Sequence, residues 1–270
     1  MIETRALTKH YGSLKAVERL SFSVQPGEVL GFLGPNGAGK STTMRMIAGF
    51  VAPTSGSITV GEFDLSEQPL EAKKIIGYLP EGAPSYGDMT PGSFLNFIAD
   101  VRGLDGSHRE QRLDDVISRL HLEKVLNQRI ETLSKGYKRR VGLAQAILHD
   151  PAVLILDEPT DGLDPNQKHE VRQLIDAMSA DKTIIISTHI LEEVDAVCDR
   201  ALIIANGRLA IDATPEELLL HSKSNNAVVL KLSDLTQTDA VASAIGQIRD
   251  VDSVSANADA GEIIAFPKDN

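Results

Sequence analysis

The run Gly34-Pro35-Asn36-Gly37-Ala38-Gly39-Lys40-Ser41 fits the spacing G-x-x-x-x-G-K-[ST] and falls between an apolar segment, EVLGFL, and a helix-like one, STTMRMIAG. Glycines let such a loop wrap closely, so that successive backbone N–H groups and the positive end of the following helix hold phosphate oxygens. Lys40 adds a full positive charge for the β- and γ-phosphates of a nucleotide, and the Ser41 hydroxyl is placed to ligate magnesium. A dinucleotide-binding turn fits less well, because Thr42 stands where Gly37 and Gly39 would need a third glycine.

A second chemical signal is VLILDEP, residues 153 to 159, an apolar run that ends in two carboxylates. Adjacent acids at the end of a buried strand are expensive unless they face a cation or water. Asp157 is therefore assigned to the magnesium shell. Glu158 is assigned to positioning or deprotonating an attacking water, the division of labour that phosphoryl transfer needs.

These residues need strands and helices to hold them. LSFSV before Pro26-Gly27, EVLGFLG, and SITV before Gly61 read as strands bounded by turns. AVLILDEP, KTIIISTHI and RALIIANGRL are near-continuous apolar runs of the kind buried on both faces, and helical patterns separate the first two. That combination predicts a mostly parallel α/β sheet. Between about residues 88 and 140, Phe94, Phe97 and Ile98, then Leu113, Val116, Ile117 and Leu120, recur three and four apart, which predicts a helical insertion. After Pro215 a helix, EELLLH, runs into the polar stretch SKSNN, read as a linker. The expected division is a main domain over residues 1–220 and a small βαββ unit over 221–270, built from AVVLKL, TDAVASAIGQI, DSVSA and EIIAF.

The composition sets the outer bounds. The chain has 270 residues, 42% hydrophobic and 24% charged, which is ordinary globular content with room for about two domains. A single cysteine, Cys198, excludes an internal disulfide framework and a cysteine zinc cluster. The N-terminal MIETRALTKHYG has no apolar core of signal-peptide length, and no run of 18 apolar residues occurs, so a cytoplasmic protein that meets membranes only through a partner is expected. Its 27 Lys and Arg against 38 Asp and Glu give a net charge of -11, which weighs against a nucleic-acid partner.

The segment LSKGYKRRVGLAQAILHDPAVLILDEPTDGLDP resembles the signature-to-second-Walker region of ABC-transporter ATPase subunits. The likeness extends from Tyr11 through GPNGAGKSTT to ISTHILEEVDAVCDRALIIANGRLA, about residues 1 to 215. LSKGY, GYLPE and the small C-terminal appendage look most like ATPases of ABC-2-type exporters, especially the gliding-motility-associated branch. The resemblance implies an α/β P-loop NTPase fold with an ABC-type nucleotide-binding domain. Its parts would be a mostly parallel sheet core, an antiparallel β subdomain and a helical insertion, followed by a small α+β domain.

The same resemblance implies ATP and Mg2+ as ligands and supplies further site residues. Tyr11, by itself an ordinary half-buried tyrosine, becomes the aromatic that stacks on adenine, next to the phosphate loop of Gly34, Pro35, Asn36, Gly37, Ala38, Gly39, Lys40, Ser41 and Thr42. His189, alone a strand-end histidine, becomes the switch residue that reaches the γ-phosphate and joins Glu158 and Lys40 in catalysis. Glu81 stands where the superfamily usually has a glutamine that touches magnesium. Ser134, Lys135 and Gly136 correspond to the LSGGQ signature, departing from it at Lys135 and Tyr137, and in the family this segment acts on the nucleotide held by the other subunit. Asp164 is expected at the dimer contact, and Asp161 replaces a usually small residue. A head-to-tail dimer, bound to integral permease subunits at the cytoplasmic face of the inner membrane, follows from the resemblance. The rival reading is a soluble ABC ATPase of repair, translation or cluster assembly; one cassette without a coiled coil or zinc insert fits that class poorly.

Overall fold

Three largely apolar segments, VLGFL, VLILD and TIIIST, lie side by side in the computed structural model as neighbouring strands of one sheet. The structure describes residues 1–82, 86–221, 227–257 and 260–268. It divides into two compact units, Met1–Pro215 and Glu216–Asn270. The chain runs β1 (Ile2–Tyr11), β2 (Leu14–Val24), β3 (Val29–Leu33), α1 (Lys40–Ile47), β4 (Ser55–Val60), β5 (Phe63–Asp64), α2 (Pro69–Lys74) and β6 (Ile76–Leu79). Helices α3 (Pro91–Arg102), α4 (Gly106–Arg119) and α5 (Lys135–Ile147) follow. The first unit is completed by β7 (Val153–Asp157), α6 (Pro165–Ser179), β8 (Thr183–Thr188), α7 (Leu191–Val197), β9 (Arg200–Ala205) and β10 (Arg208–Ala213).

The central sheet has the order β10-β9-β3-β8-β7-β6. Its strands are parallel from β9 to β6, and only the edge strand β10 runs antiparallel. A second, antiparallel sheet has the order β2-β1-β4-β5. One core joins them: Phe22 of β2 meets Phe32 of β3 edge-on with centroids 5.1 Å apart, and Met44, Met46 and Ile47 of α1 fill the space beside Ile155 and Ile185. Each such side chain contributes about 1.5–3 kcal/mol on burial, so strand pairing and helix packing are held by the same contacts. Register then fixes the working end of the sheet. Leu33 pairs with Thr188, Asp157 with Ser187, and Leu79 with Leu156, so β3, β6, β7 and β8 release their carboxyl-terminal loops together. Crevices at the carboxyl ends of parallel strands are where such sheets bind ligands.

The expected α/β architecture is present, with differences in detail. RALIIANGRL is a hairpin rather than one strand: Asn206 and Gly207 have φ of 51° and 74°, the left-handed pair that a tight two-residue turn requires, and they reverse β9 into β10. The helical insertion comprises α3, α4 and two short 3₁₀ turns, but α5 runs on past residue 140 to Ile147 and packs against β6. Its face of Gly136, Val141, Leu143, Ala144 and Ile147 is buried, which keeps it with the sheet.

After the helix α8 (Pro215–His221), β11 (Val228–Lys231), α9 (Thr238–Gly246), β12 (Val251–Asn257) and β13 (Glu262–Pro267) follow one another in βαββ sequence in the second unit. The strands form an antiparallel sheet of order β11-β13-β12, and α9 packs on β12. The division at Pro215 assigns most of the helix Pro215–His221 to this unit, earlier than residue 220. Residues 222–226, read as a linker, lie outside the described residues. Among the described residues no helix is long and apolar enough to cross a membrane.

Candidate functional site

The loop that leaves β3 is shaped by glycines that nothing larger can replace. A Cβ on Gly34 would sit 2.4 Å from the Ile204 carbonyl oxygen. Gly39 has φ of 108°, and a Cβ there would sit 2.5 Å from the Ala16 carbonyl oxygen. Gly39 is the N-cap of α1 and no side chain caps that helix, so its first N–H groups and its positive end remain available to an anion. Lys40, the first helical residue, is only 5% exposed. Its Nζ donates to the carbonyls of Gly34 at 2.6 Å and Pro35 at 3.3 Å and lies 3.9 Å from Glu158 Oε1. The ammonium is thereby drawn to the centre of its own loop.

At the end of β7, Asp157 is fully buried. Its Oδ1 accepts from Ser41 Oγ at 3.2 Å and also from Ser187 Oγ. Its Oδ2 is buried without a protein partner. An orphaned carboxylate oxygen beside a serine hydroxyl is the hard-oxygen donor set that a magnesium ion takes when phosphates and water complete its shell. The residues present therefore fit the metal assigned to them.

Glu158 has φ of 52°, a left-handed conformation that costs a non-glycine residue of order 1–3 kcal/mol. The turn directs its side chain away from the strand line, toward Lys40 and His189. Its backbone N–H donates to Ser187 Oγ at 2.9 Å, which fixes the turn to β8. His189 Nδ1 lies 3.2 and 3.1 Å from the two carboxylate oxygens. Burial raises the Glu158 pKa, against the opposing pull of His189 and Lys40. A carboxylate with a raised pKa accepts a proton more readily near neutral pH.

The His189 loop has an anchor that the sequence did not reveal. Thr188 Oγ1 accepts from the Ile190 N–H at 3.1 Å and donates to Glu193 Oε2 at 2.8 Å. Lys168 of α6 donates to the other Glu193 oxygen at 2.9 Å. Burial alone would raise the Glu193 pKa, but its hydrogen bonds with Thr160, Lys168 and Thr188 together with the Lys168 charge bring it below the usual range. Arg139 of α5, a further residue of the site, is buried against the carbonyls of Pro80, Asp157, Glu158 and Pro159. Its position between Gly136 and Leu143, three and four residues away on a buried helix face, was the available signal.

The assembled pocket encloses about 590 Å3, and Tyr11, Asn36, Gly37, Gly39, Lys40, Ser41, Thr42, Glu81 and Glu158 line it. Tyr11 is 47% exposed at its edge, with Lys9 Nζ 5.1 Å from the ring centroid. Ser134, Lys135 and Gly136 do not line it. Ser134 instead caps α5, its hydroxyl accepting from the Tyr137 N–H at 3.3 Å, and both Ser134 and Lys135 are exposed. Asp164 caps α6 by accepting from the Gln167 N–H at 2.9 Å.

A phosphate-binding loop at the carboxyl end of a parallel sheet, facing an acid pair two strands away across β8, defines a nucleotide-hydrolysing P-loop cassette. The chain belongs to the ABC transporter family, whose model matches residues 17–161. It is 37% identical over 225 residues to the uncharacterized ABC transporter ATP-binding protein YxlF of Bacillus subtilis, covering 83% of this chain and 75% of that protein. It is 38% identical over 219 residues to the Nod factor export ATP-binding protein I of Rhizobium etli, covering 81% of this chain and 69% of that protein. Among solved structures, an ATP-binding subunit of an ABC transporter superposes with a TM-score of 0.75 at 32% identity, over 81% of this chain and 91% of that one. The protein is accordingly an ATP-binding, ATP-hydrolysing subunit of an ABC transporter.

Proposed function

We propose that the chain powers an ABC-2-type exporter as a head-to-tail dimer that buries two ATP molecules and works on separate permease subunits at the cytoplasmic face of the membrane. The observation that carries this reading is the split of the site. Lys40, Asp157, Glu158 and His189 gather at one loop cluster, whereas Ser134 is exposed at the N-terminus of α5, outside the pocket of its own chain. A hydroxyl and a helix N-terminus placed there suit the γ-phosphate of a nucleotide presented by a second copy. Export is the role named for the Rhizobium relative.

In this reading the phosphate loop and Lys40 hold the β- and γ-phosphates of the substrate ATP, and Tyr11 stacks on adenine. Asp157 and Ser41, with Glu81 at the pocket wall, would hold Mg2+, whose charge offsets that of the phosphates. Glu158 accepts the proton of the attacking water at a carboxylate oxygen while the water oxygen bonds to the γ-phosphorus and the bond to the β–γ bridging oxygen breaks. His189 holds Glu158 and the γ-phosphate side of the site in register. Loss of the γ-phosphate removes the bridge between chains, and the dimer reopens. A groove of about 950 Å3, lined by Arg45, Phe50, Leu70, Tyr78, Pro80 and Val101 among others, joins the α1–β6 region to α3 and is the surface assigned to the permease. Phe50, Leu70 and Val101 are all exposed there. Residues 1–215 form the motor in this scheme, and 216–270 an accessory unit.

The test is the E158Q variant with saturating Mg-ATP, followed by size-exclusion chromatography and phosphate release. Hydrolysis is expected to fall by about 10²–10⁴-fold and an ATP-bound dimer to accumulate. A monomeric E158Q, even with its permease present, removes the dimer reading, and parental turnover removes the role of Glu158.

A further inference from the structure

Ser134 and Arg139 belong to the same short stretch of chain, Ser134 as the N-cap of α5 and Arg139 a little more than one turn inside it. Arg139 is 5% exposed. Its Nη1 donates to the Pro80 carbonyl at 3.0 Å and its Nε to the Pro159 carbonyl at 3.3 Å, while Nη2 reaches the carbonyls of both Asp157 and Glu158. One side chain thus links the signature helix, the backbone of both site acids, and the residue before Glu81.

The choice of partners is informative. Asp157, Asp161, Glu158 and Glu81 all act electrostatically on this guanidinium, yet its hydrogen bonds run to main-chain oxygens. The positive charge therefore eases the gathering of acids without taking up any of their carboxylate oxygens. Arginine is permanently charged and presents its N–H groups in a rigid planar fork. A shift of α5 cannot be absorbed by that fork without moving the carbonyls it holds.

We propose that Arg139 is a positioning residue that couples the two ATP sites of the dimer, by tying the phosphate-contacting end of α5 to the hydrolytic acids of its own chain. The inference rests on the head-to-tail dimer, because only there does Ser134 meet a nucleotide bound to the other subunit. Closure of that nucleotide on Ser134 draws on α5, and Arg139 transmits the change to the Asp157–Glu158 backbone of its own site. Contiguous hydrogen-bonded contacts of this kind are the physical path along which two sites share a coupling free energy.

The experiment titrates ATP against steady-state hydrolysis by the full chain with its permease, comparing the parent with R139K, which keeps the charge and loses the fork. The parent is expected to show a Hill coefficient approaching about 2, the number of sites, and R139K about 1. Turnover in R139K falls roughly tenfold to a hundredfold, the usual effect of slight misplacement of reacting groups. The dissociation constant of ATP for the single chain stays at the parental value, since Arg139 does not line the nucleotide pocket, and the R139K/E158Q double variant still dimerises with Mg-ATP. Should R139K fail to fold by circular dichroism, R139Q serves with the same expectations. Parental cooperativity and turnover in either folded variant overturn the proposal, as does a Hill coefficient of 1 in the parent. A monomeric E158Q is a different result, which removes the dimer beneath it.

Discussion

Nδ1 of His189 lies 3.1 Å from Oε2 of Glu158, across two loops that leave neighbouring parallel strands. The imidazole is half exposed and the carboxylate is mostly enclosed, so the pair stands at the border between the sheet and the pocket. With its proton on Nδ1, the ring donates to the carboxylate and leaves Nε2 toward solvent, where the γ-phosphate side of a nucleotide would come. The contact makes the two residues one unit. H189A and E158Q are each expected to lower turnover by about 10²–10⁴-fold, the usual range for a positioned proton acceptor and its orienting partner. Phosphate release by the H189A/E158Q double variant is expected to match that of the worse single variant, because residues that act as a unit are not additive. Two losses that multiply would separate their roles.

The raised pKa of Glu158 also has a thermodynamic consequence. Burial makes the folded chain hold this proton to higher pH than the unfolded chain does. Between those two values the native state binds more protons, so stability falls as pH rises through the window and the penalty is complete above the folded pKa. The E158Q variant lacks the ionisation. Its Tm without nucleotide is expected to exceed the parent's at neutral pH, with a difference that grows from the ordinary carboxylate range upward and then levels off. A difference that shrinks with rising pH would contradict the burial of the charge.

Glu193 supports a prediction about positioning. Its carboxylate is 7% exposed and binds both Thr188, beside His189, and Lys168 of α6. Removing it in E193A leaves a buried hydroxyl and an ammonium short of partners, a loss of about 1–3 kcal/mol in stability. ATP affinity is expected to hold, because the phosphate loop makes no contact with this group, while turnover falls. The decisive comparison adds E193A to H189A: if Glu193 works through the His189 loop, hydrolysis by the double variant equals that of H189A alone. A further drop in turnover per folded molecule points to another route.

What the sequence disclosed follows from how few solutions each piece of chemistry has. The phosphate loop was legible because Gly34 and Gly39 sit where a Cβ would collide with backbone oxygens, so no other residue type can stand there. The acid pair was legible because carboxylates at the end of an apolar strand have almost no neutral explanation. The first strand was less visible: IETRALTKHY mixes charge with apolar residues, and the register shifts along it, with Ala6 at φ of 47°, break a clean alternation. In RALIIANGRL the apolar flanks outweighed the Asn206-Gly207 turn signal. Arg139 and Glu193 were not legible for another reason. A charge on a helix is usually solvated, and only tertiary packing turned these two inward. The split between Ser134 and the pocket was implied by resemblance alone, since no spacing within one chain encodes where a second copy docks.

The loop glycines allow strain and collision to be separated. Gly37 and Gly39 both have left-handed φ, 81° and 108°, but a Cβ on Gly37 would have open space around it, whereas one on Gly39 would lie 2.5 Å from the Ala16 carbonyl oxygen. Alanine at either position pays the conformational penalty, of order 1–3 kcal/mol. Only G39A also pushes against a strand backbone that cannot yield, and it does so at the residue that opens α1 and aims its amides at the phosphates. G39A is therefore expected to lose more Tm than G37A and to weaken ATP binding far more, because the loop must open at the point where it grips the anion. Thermal melts and ATP titrations of the two variants check this together. Equal losses in both measurements would mean that backbone strain alone governs the loop and that the close approach to Ala16 carries no energy.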